Sequence, residues 1–171
     1  MSANPTGTAR TRDVSITRVF DAPVELVWKA WTDPQHVMRW WGPDHFSSPS
    51  CEMDFREGGT TIACMRAPQD FGGRDYYNTW HYQKIVPLQR IEYIQNLSDK
   101  DGRRIADPAS LGLRADFPQD VRTVITFKPL GDKTELTITE YGFPEGQMFE
   151  MAEMGLHQSL DKMAATFAEG R

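Results

Sequence analysis

Histidine side chains are the groups of this 171-residue chain best suited to acid–base chemistry near neutral pH. His81 and His157 are the histidines expected to approach the interior, where an imidazole can act as general base in an aldol-type cyclisation or a hydrolysis. A hydrogen-bonded packing role is the more frequent alternative. The four histidines lack metal-ligand spacing, and no cluster with cysteine or aspartate indicates a metal site. The sequence therefore predicts neither a metal nor a cofactor, and it leaves catalytic residues unassigned.

Aromatic side chains in the middle of the chain are candidates for lining an apolar pocket. Trp80, Tyr82 and Tyr93 lie in predicted central strands, and their hydroxyl and indole N–H groups can orient a mostly apolar ligand. The sequence does not decide which side of the strand with Trp80 and Tyr82 faces inward, because Tyr77 and His81 lie on the opposite side of that strand. The adjacent tryptophans at positions 40 and 41 are interpreted as anchors of a short helix pair rather than as a ligand platform.

The elements that position these residues follow an order without βαβ alternation, which argues against a doubly wound fold. One strand and two short helices come first, then six antiparallel strands, then one long helix. The predicted strands and helices cover residues 14–20 (strand), 21–31 and 34–41 (helices), 50–56, 60–66, 76–86, 90–97, 121–128 and 134–141 (strands), and 144–168 (helix). Residues 98–119 lack a period and are predicted to form a long loop, which in compact domains is usually functional or mobile.

A hairpin centred on Gly58-Gly59 sets the predicted register of the second and third strands. This register places Phe55 opposite Ile62 and Met53 opposite Cys64, so that all four share one apolar face. Cys64 is then an inert buried thiol, and its diagonal offset from the other cysteine disfavours a disulfide.

The last helix carries an apolar stripe at helical spacing. The stripe comprises Phe149, Ala152, Leu156, Leu160, Met163 and Phe167. Met151 and Met154 fall on the opposite side, and His157 on the margin. A single helix cannot fill a wide concave sheet, so a residual cavity is expected between them, walled by Phe55, Ile62 and Cys64 on the sheet and by Leu156 and Leu160 on the helix.

The composition is that of an ordinary globular domain with a mildly acidic surface. A net charge of −5 and the lack of any basic run argue against nucleic acid and anionic membranes as partners. The sequence predicts a flexible N-terminal segment at residues 1–12 and a single domain at residues 13–171. It shows neither a secretory signal nor a membrane span, so a cytoplasmic location is expected.

Five short segments carry a resemblance to a known family. They are residues 18–23 (RVFDAP), 28–34 (WKAWTDP), 40–43 (WWGP), 54–59 (DFREGG) and 85–91 (IVPLQRI). Together they resemble the superfamily of START lipid-transfer domains, polyketide cyclases and birch-pollen-type allergens (SRPBCC). The most similar branch is named for the activator of the ninety-kilodalton heat-shock protein's ATPase. The resemblance runs from about residue 14 to residue 167, with a gap at the long loop.

The resemblance implies an α+β helix-grip fold. In that fold a curved antiparallel sheet of about seven strands wraps around a long C-terminal helix, with two short helices after the first strand. The chain departs from the family in two places. Leu156 stands where relatives often carry tryptophan, which implies a larger or differently shaped pocket, and the loop at 98–119 is longer and can cover the cavity mouth. The chaperone-binding N-terminal domain of the eukaryotic activators has no counterpart here.

Glu140 and Arg18 are charged residues of predicted strands. Each lies on the same side of its strand as apolar side chains, namely Leu136 and Ile138 for Glu140 and Ile16 and Phe20 for Arg18. Because the first and last strands are neighbours in the helix-grip fold, the two side chains are expected to meet. A partly buried ion pair is the favoured interpretation. The alternative is a polar anchor for a ligand's carboxylate or hydroxyl.

The sequence thus predicts a binding protein for a small hydrophobic or aromatic molecule. The alternatives are a cyclase- or hydrolase-type enzyme, with His81 or His157 as base and Glu140 or Arg18 orienting the substrate, and a stress-related or chaperone-associated interaction module. Met151 and Met154 would suit the last of these, or a homodimer. The predicted ligand-binding residues are Phe55, Ile62, Cys64, Trp80, Tyr82, Tyr93, Glu140, Leu156, His157 and Leu160.

Overall fold

Seven strands and three α-helices make up the fold, in a computed structural model that describes residues 10–169. They are β1 (Thr11–Phe20), α1 (Val24–Thr32), α2 (Pro34–Trp40), β2 (Cys51–Glu52), β3 (Thr60–Arg66), β4 (Asp75–Val86), β5 (Arg90–Ser98), β6 (Val121–Leu130), β7 (Lys133–Pro144) and α3 (Gln147–Glu169). The predicted flexible segment covers residues 1–12. Residues 1–9 of it lie outside the described residues, and its last two residues belong to β1.

The strands form one curved antiparallel sheet in the order β1-β7-β6-β5-β4-β3-β2. From β2 to β7, each strand is the neighbour of the next strand in the sequence, and β1 pairs with β7 at the edge opposite β2. The long helix α3 packs against this sheet, which confirms the α+β helix-grip architecture. Its Leu160 and Met163 are fully buried in the same core as Ile16, Leu136 and Ile138.

The helix boundaries follow from local chemistry. Asp33 caps α2 by accepting a hydrogen bond from the backbone N–H of Gln35 at 2.8 Å, and Pro34 occupies the first turn. Helix α1 begins at Val24 after Pro23, later than the predicted start at residue 21. The last helix also begins later than predicted. Pro144 ends β7, and Gly146 turns the chain with φ +101° before α3 starts.

A cluster of aromatic rings packs α1 and α2 onto the sheet. Trp40 is fully buried, and its Nε1–H donates to the carbonyl of Ala30 at 2.9 Å. The ring of Trp80 stacks on Tyr93 with centroids 5.2 Å apart and lies 5.0 Å from the ring of Trp41. Trp40 therefore anchors the helix pair, as the sequence predicts.

The register of β2 and β3 differs from the prediction. Cys51 pairs with Ala63 and residue 52 with Ile62, whereas the predicted hairpin put Phe55 opposite Ile62. The shift by an odd number of residues turns Ile62 and Cys64 to the outer face of the sheet. The cause is the connection, since residues 53–59 form a longer turn that already pairs with β4. The N–H of Gly58 donates to the carbonyl of Tyr82, and the N–H of Tyr82 donates to the carbonyl of Gly59.

The predicted contact between Arg18 and Glu140 does not form. The two strands are neighbours, but Glu140 lies opposite Val14, and Arg18 lies opposite Leu136, four residues along β1. Arg18 instead donates to Asp161 of α3 at 2.8 Å. The charged residues share a sheet face, as predicted, but strand register separates them.

Candidate functional site

A cavity of about 540 Å³ lies between the sheet, the N-terminal half of α3 and the loop that joins β5 to β6. The sheet contributes Met65, Asn78, Gln95 and Glu140. The helix contributes Met148, Met151, Ala152, Gly155, Leu156 and Ser159. The loop contributes Gly112, Leu113, Arg114 and Phe117. Most of these side chains are apolar, so the polar groups of the sheet wall stand out as candidates for orienting a ligand.

Glu140 is the acidic residue of this wall. It sits in the middle of β7, between Val14 of β1 and Thr123 of β6, with Tyr93 of β5 next in the same row. Only 8% of the residue is exposed, and no described residue forms a hydrogen bond or an ion pair with its carboxyl group. Burial without a partner raises its pKa to about 7. Near neutral pH this carboxyl group can therefore hold or release a proton.

Two amide side chains share the wall with Glu140. Asn78 is buried on β4, where it lies opposite Leu97 of β5. Gln95 lies on β5 as well, two residues before Leu97. The Oε1 atom of Gln95 is buried without a hydrogen-bond partner among the described residues. The Nε1–H group of Trp41, whose ring also lines the cavity, has no partner either. Several polar groups around the cavity are thus left unsatisfied by the protein, which is unusual for buried atoms.

The long loop predicted at residues 98–119 forms one wall of the cavity and is tied to the sheet. The side chain of Gln119 accepts from the N–H of Leu97 at 2.7 Å and donates to the carbonyl of Ile105 at 2.6 Å. Arg114 donates to both carboxylate oxygens of Asp116, at 2.9 and 3.0 Å. These bonds hold the loop in place beside the cavity.

The structure brings two of the ten predicted ligand-binding residues to this cavity, namely Glu140 and Leu156. Trp80, Tyr82, Tyr93 and Leu160 are fully or almost fully buried in the core and do not line it. Phe55 is half-buried against Trp28 and Tyr82. Ile62 and Cys64 lie on the outer face because of the register described above.

Neither candidate histidine reaches the cavity. His81 is exposed on the outer face, where its Nδ1 lies 2.9 Å from the hydroxyl of Thr60. His157 is exposed on α3. The imidazole that the predicted cyclase or hydrolase would use as base is therefore missing from the cavity wall.

Asn78, Gln95, Leu113 and Phe117 line the cavity but were not predicted to do so. Asn78 shares strand parity with Trp80, and Gln95 shares it with Tyr93. The parity of the buried aromatic residues would have identified both amides, once the inward side of β4 was known. No comparable signal exists for the loop residues, because an irregular segment has no period.

Both cysteines are free thiols, and Cys64 is buried whereas Cys51 is half-buried. Burial, together with the nearby carboxylates of Asp33 and Glu52, raises the pKa of the Cys51 thiol to about 12, and burial likewise raises that of Cys64. Because the thiolate is the nucleophile, both thiols should be unreactive in the folded protein.

Ellman's reagent at pH 8 should label neither thiol within minutes, and both after denaturation in guanidinium. Rapid labelling of the native protein would contradict this prediction.

Within residues 10–169, no group of three or more histidine, cysteine, aspartate or glutamate side chains is arranged to hold a metal ion. Among the described helices, none is long and apolar enough to cross a membrane.

A family model described as "Activator of Hsp90 ATPase homolog 1-like protein" matches residues 21–168. The chain belongs to this family. The match extends through the long loop, and it confirms the resemblance seen in the five sequence segments. No curated protein matches the chain significantly.

Solved structures of similar proteins share the fold over nearly the whole chain. A protein from Chromobacterium violaceum is 29% identical, with a TM-score of 0.73 over 90% of this chain and 95% of its own. A protein from Arthrobacter aurescens is 25% identical, with a TM-score of 0.74 over 95% and 92%. A family member from Silicibacter pomeroyi is 22% identical, with a TM-score of 0.73 over 94% and 100%. These likenesses support the fold.

Proposed function

We propose that this protein binds a small, mostly apolar molecule in the cavity between the sheet and α3. The observation that carries the proposal is a cavity of about 540 Å³ whose wall combines apolar side chains with the unpartnered carboxyl group of Glu140. This volume is within the usual range of small-molecule sites. A buried polar group without a protein partner is costly, and a ligand group that pairs with it recovers that cost.

The cavity is also accessible, which a storage or transport role for an apolar molecule would require. Met151 is 55% exposed and lines the cavity, so it marks the rim where α3 meets solvent. Phe117 and Leu113 approach from the loop on another side. An apolar ligand that enters here would bury its surface against Met148 and Leu156. The gain scales with that buried area.

Replacement of Leu156 by tryptophan tests this proposal. The change should fill part of the cavity and abolish the thermal stabilisation that apolar compounds give the wild-type protein. A thermal-shift screen of arylalkyl alcohols and fatty alcohols, run with both proteins, measures this effect. The Met154→Trp variant is the matched control, because it places the same side chain on the exposed side of the same helix.

The control variant should respond to the compounds as the wild type does. If no compound in the screen stabilises the wild-type protein, the binding proposal is wrong. If the Leu156→Trp variant retains the full shift, binding takes place elsewhere than in this cavity.

A further inference from the structure

The carboxyl group of Glu140 faces the cavity and lacks a cationic partner within the described residues, although cations are nearby. Arg114 is the one basic residue in the cavity wall, and its guanidinium group is held by both carboxylate oxygens of Asp116. It also lies 3.5 Å from the Oε1 atom of Gln147 at the start of α3. Its hydrogen bonds are directed to the loop and to the helix, so it does not neutralise Glu140.

The basic residues on the strands beside Glu140 also interact with other groups. On β1, the guanidinium group of Arg12 lies 4.1 Å from the ring centroid of Phe149, and Arg18 binds Asp161. On β6, Arg122 donates to Glu92 at 3.2 Å.

The remaining groups around Glu140 carry no positive charge. On β1, Val14 lies opposite it, and the neighbouring Asp13 accepts from the N–H of residue 142. Thr123 of β6 is neutral. Tyr93 of β5 stays protonated because burial, with the charge of Glu140, raises its pKa well above the usual range. The side chains that the described part of α3 presents to the cavity are all uncharged.

From these contacts we infer that the ligand carries a protonated amine, which the carboxylate of Glu140 binds inside the cavity. This inference rests on the proposed function and specifies the head group of the ligand. An ammonium group supplies the positive charge that the protein does not place beside Glu140. Charge-assisted hydrogen bonds are about twice as strong as neutral ones, so the amine gains more here than a hydroxyl group would.

The surroundings of Glu140 suit an alkylammonium group in two further ways. Such a group has three N–H donors, and the amide oxygens of Asn78 and Gln95 on the same wall are acceptors for those that Glu140 leaves free. The ring of Trp41 lines the cavity as well, and aromatic faces attract cations. The apolar part of the ligand then lies against Phe117, Met148 and the helix.

Binding of an amine should depend on pH with a defined sign. The free carboxyl group of Glu140 is mostly protonated below pH 7 and mostly ionised above it. Affinity for the amine should therefore rise about tenfold between pH 6 and pH 8, since the ionised fraction rises by that factor. The affinity should fall again only where the amine itself loses its proton, near the range of lysine at about 10.4.

Three compounds that share one ring system test the inference. Isothermal titration at pH 8 with naphthylethylamine, naphthylethanol and naphthylacetate compares an ammonium, a hydroxyl and a carboxylate head group. We expect the amine to bind at least about tenfold more tightly than the alcohol, and the carboxylate not to bind. The Glu140→Gln variant should bind the amine and the alcohol equally, and lowering the pH to 6 should weaken only the amine.

The outcomes separate this inference from the proposed function. If the alcohol binds the wild type as tightly as the amine, or if the Glu140→Gln variant keeps the preference, the amine inference is overturned while the apolar cavity site stands. A preference for the carboxylate overturns it as well. If none of the three compounds binds, and the Leu156→Trp variant behaves like the wild type in the broader screen, both the inference and the proposed function are wrong.

Discussion

Replacement of Trp80 by alanine is expected to lower the free energy of unfolding by about 3–5 kcal/mol, as for other buried aromatic residues. Trp80 is fully buried at the centre of the sheet, stacked on Tyr93 and in contact with the rings of Trp31 and Trp41. Its removal would leave a hole where α1, α2 and three strands meet, which these rigid elements cannot close. Urea denaturation followed by circular dichroism measures the change.

The Trp80→Phe variant is the matched control for this prediction. The Nε1 atom of Trp80 has no hydrogen-bond partner within the described residues, so phenylalanine removes no hydrogen bond and keeps an aromatic ring against Tyr93. Its loss of stability should be less than half that of the alanine variant. An alanine variant as stable as the wild type would show that the aromatic cluster does not support the fold.

The aromatic cluster also explains why sequence reasoning placed Trp80 in the ligand site. Burial and strand parity identify an inward-facing tryptophan, but they do not say whether it meets a cavity or other side chains. Here α1 and α2 bring Trp31 and Trp41 onto that face of β4. The cavity consequently opens further along the sheet, beside Asn78, Gln95 and Glu140.

The architecture was predictable because each element carries a local signal. Period-two alternation marks the strands, the apolar stripe marks α3, and Pro34 and the Asp33 cap mark α2. The register of β2 and β3 was not, because Gly58-Gly59 indicates a turn without giving its length. Residues 53–59 form a wider turn, and an odd shift is enough to move Ile62 and Cys64 to the other face.

The candidate site was only partly predictable, for a related reason. Strand parity for Glu140 and helical spacing for Leu156 correctly predicted that both side chains face inward, because each pattern belongs to a single element. A contact between two side chains depends on how two elements are aligned. The contact between Glu140 and Arg18 therefore depended on the register between β1 and β7, which the sequence alone does not specify. The absence of that contact is what leaves the carboxyl group of Glu140 available to a ligand.

Replacement of Glu140 by glutamine is expected to make the protein more stable at pH 8 while changing its stability little at pH 4. Burial raises the pKa of Glu140 from 4.5 to about 7, so between these values the folded protein holds a proton that the unfolded chain has released. The free energy of unfolding therefore falls as pH rises through this window. Glutamine is neutral throughout and avoids the loss, which amounts to about 3 kcal/mol at pH 8. Urea denaturation of both proteins at pH 4 and pH 8 measures the difference.

A second glutamate on the same sheet provides a control of opposite sign. Hydrogen bonds from Arg90 at 2.6 Å and from Arg122 hold the pKa of Glu92 below its usual range. The Glu92→Gln variant should therefore be less stable than the wild type at pH 8, and this deficit should shrink as Glu92 is protonated at low pH. If the Glu140→Gln variant gains the same stability at both pH values, Glu140 is ionised in the folded protein without penalty. The amine inference would then lose its pH dependence, although the unpaired carboxylate in the cavity would remain.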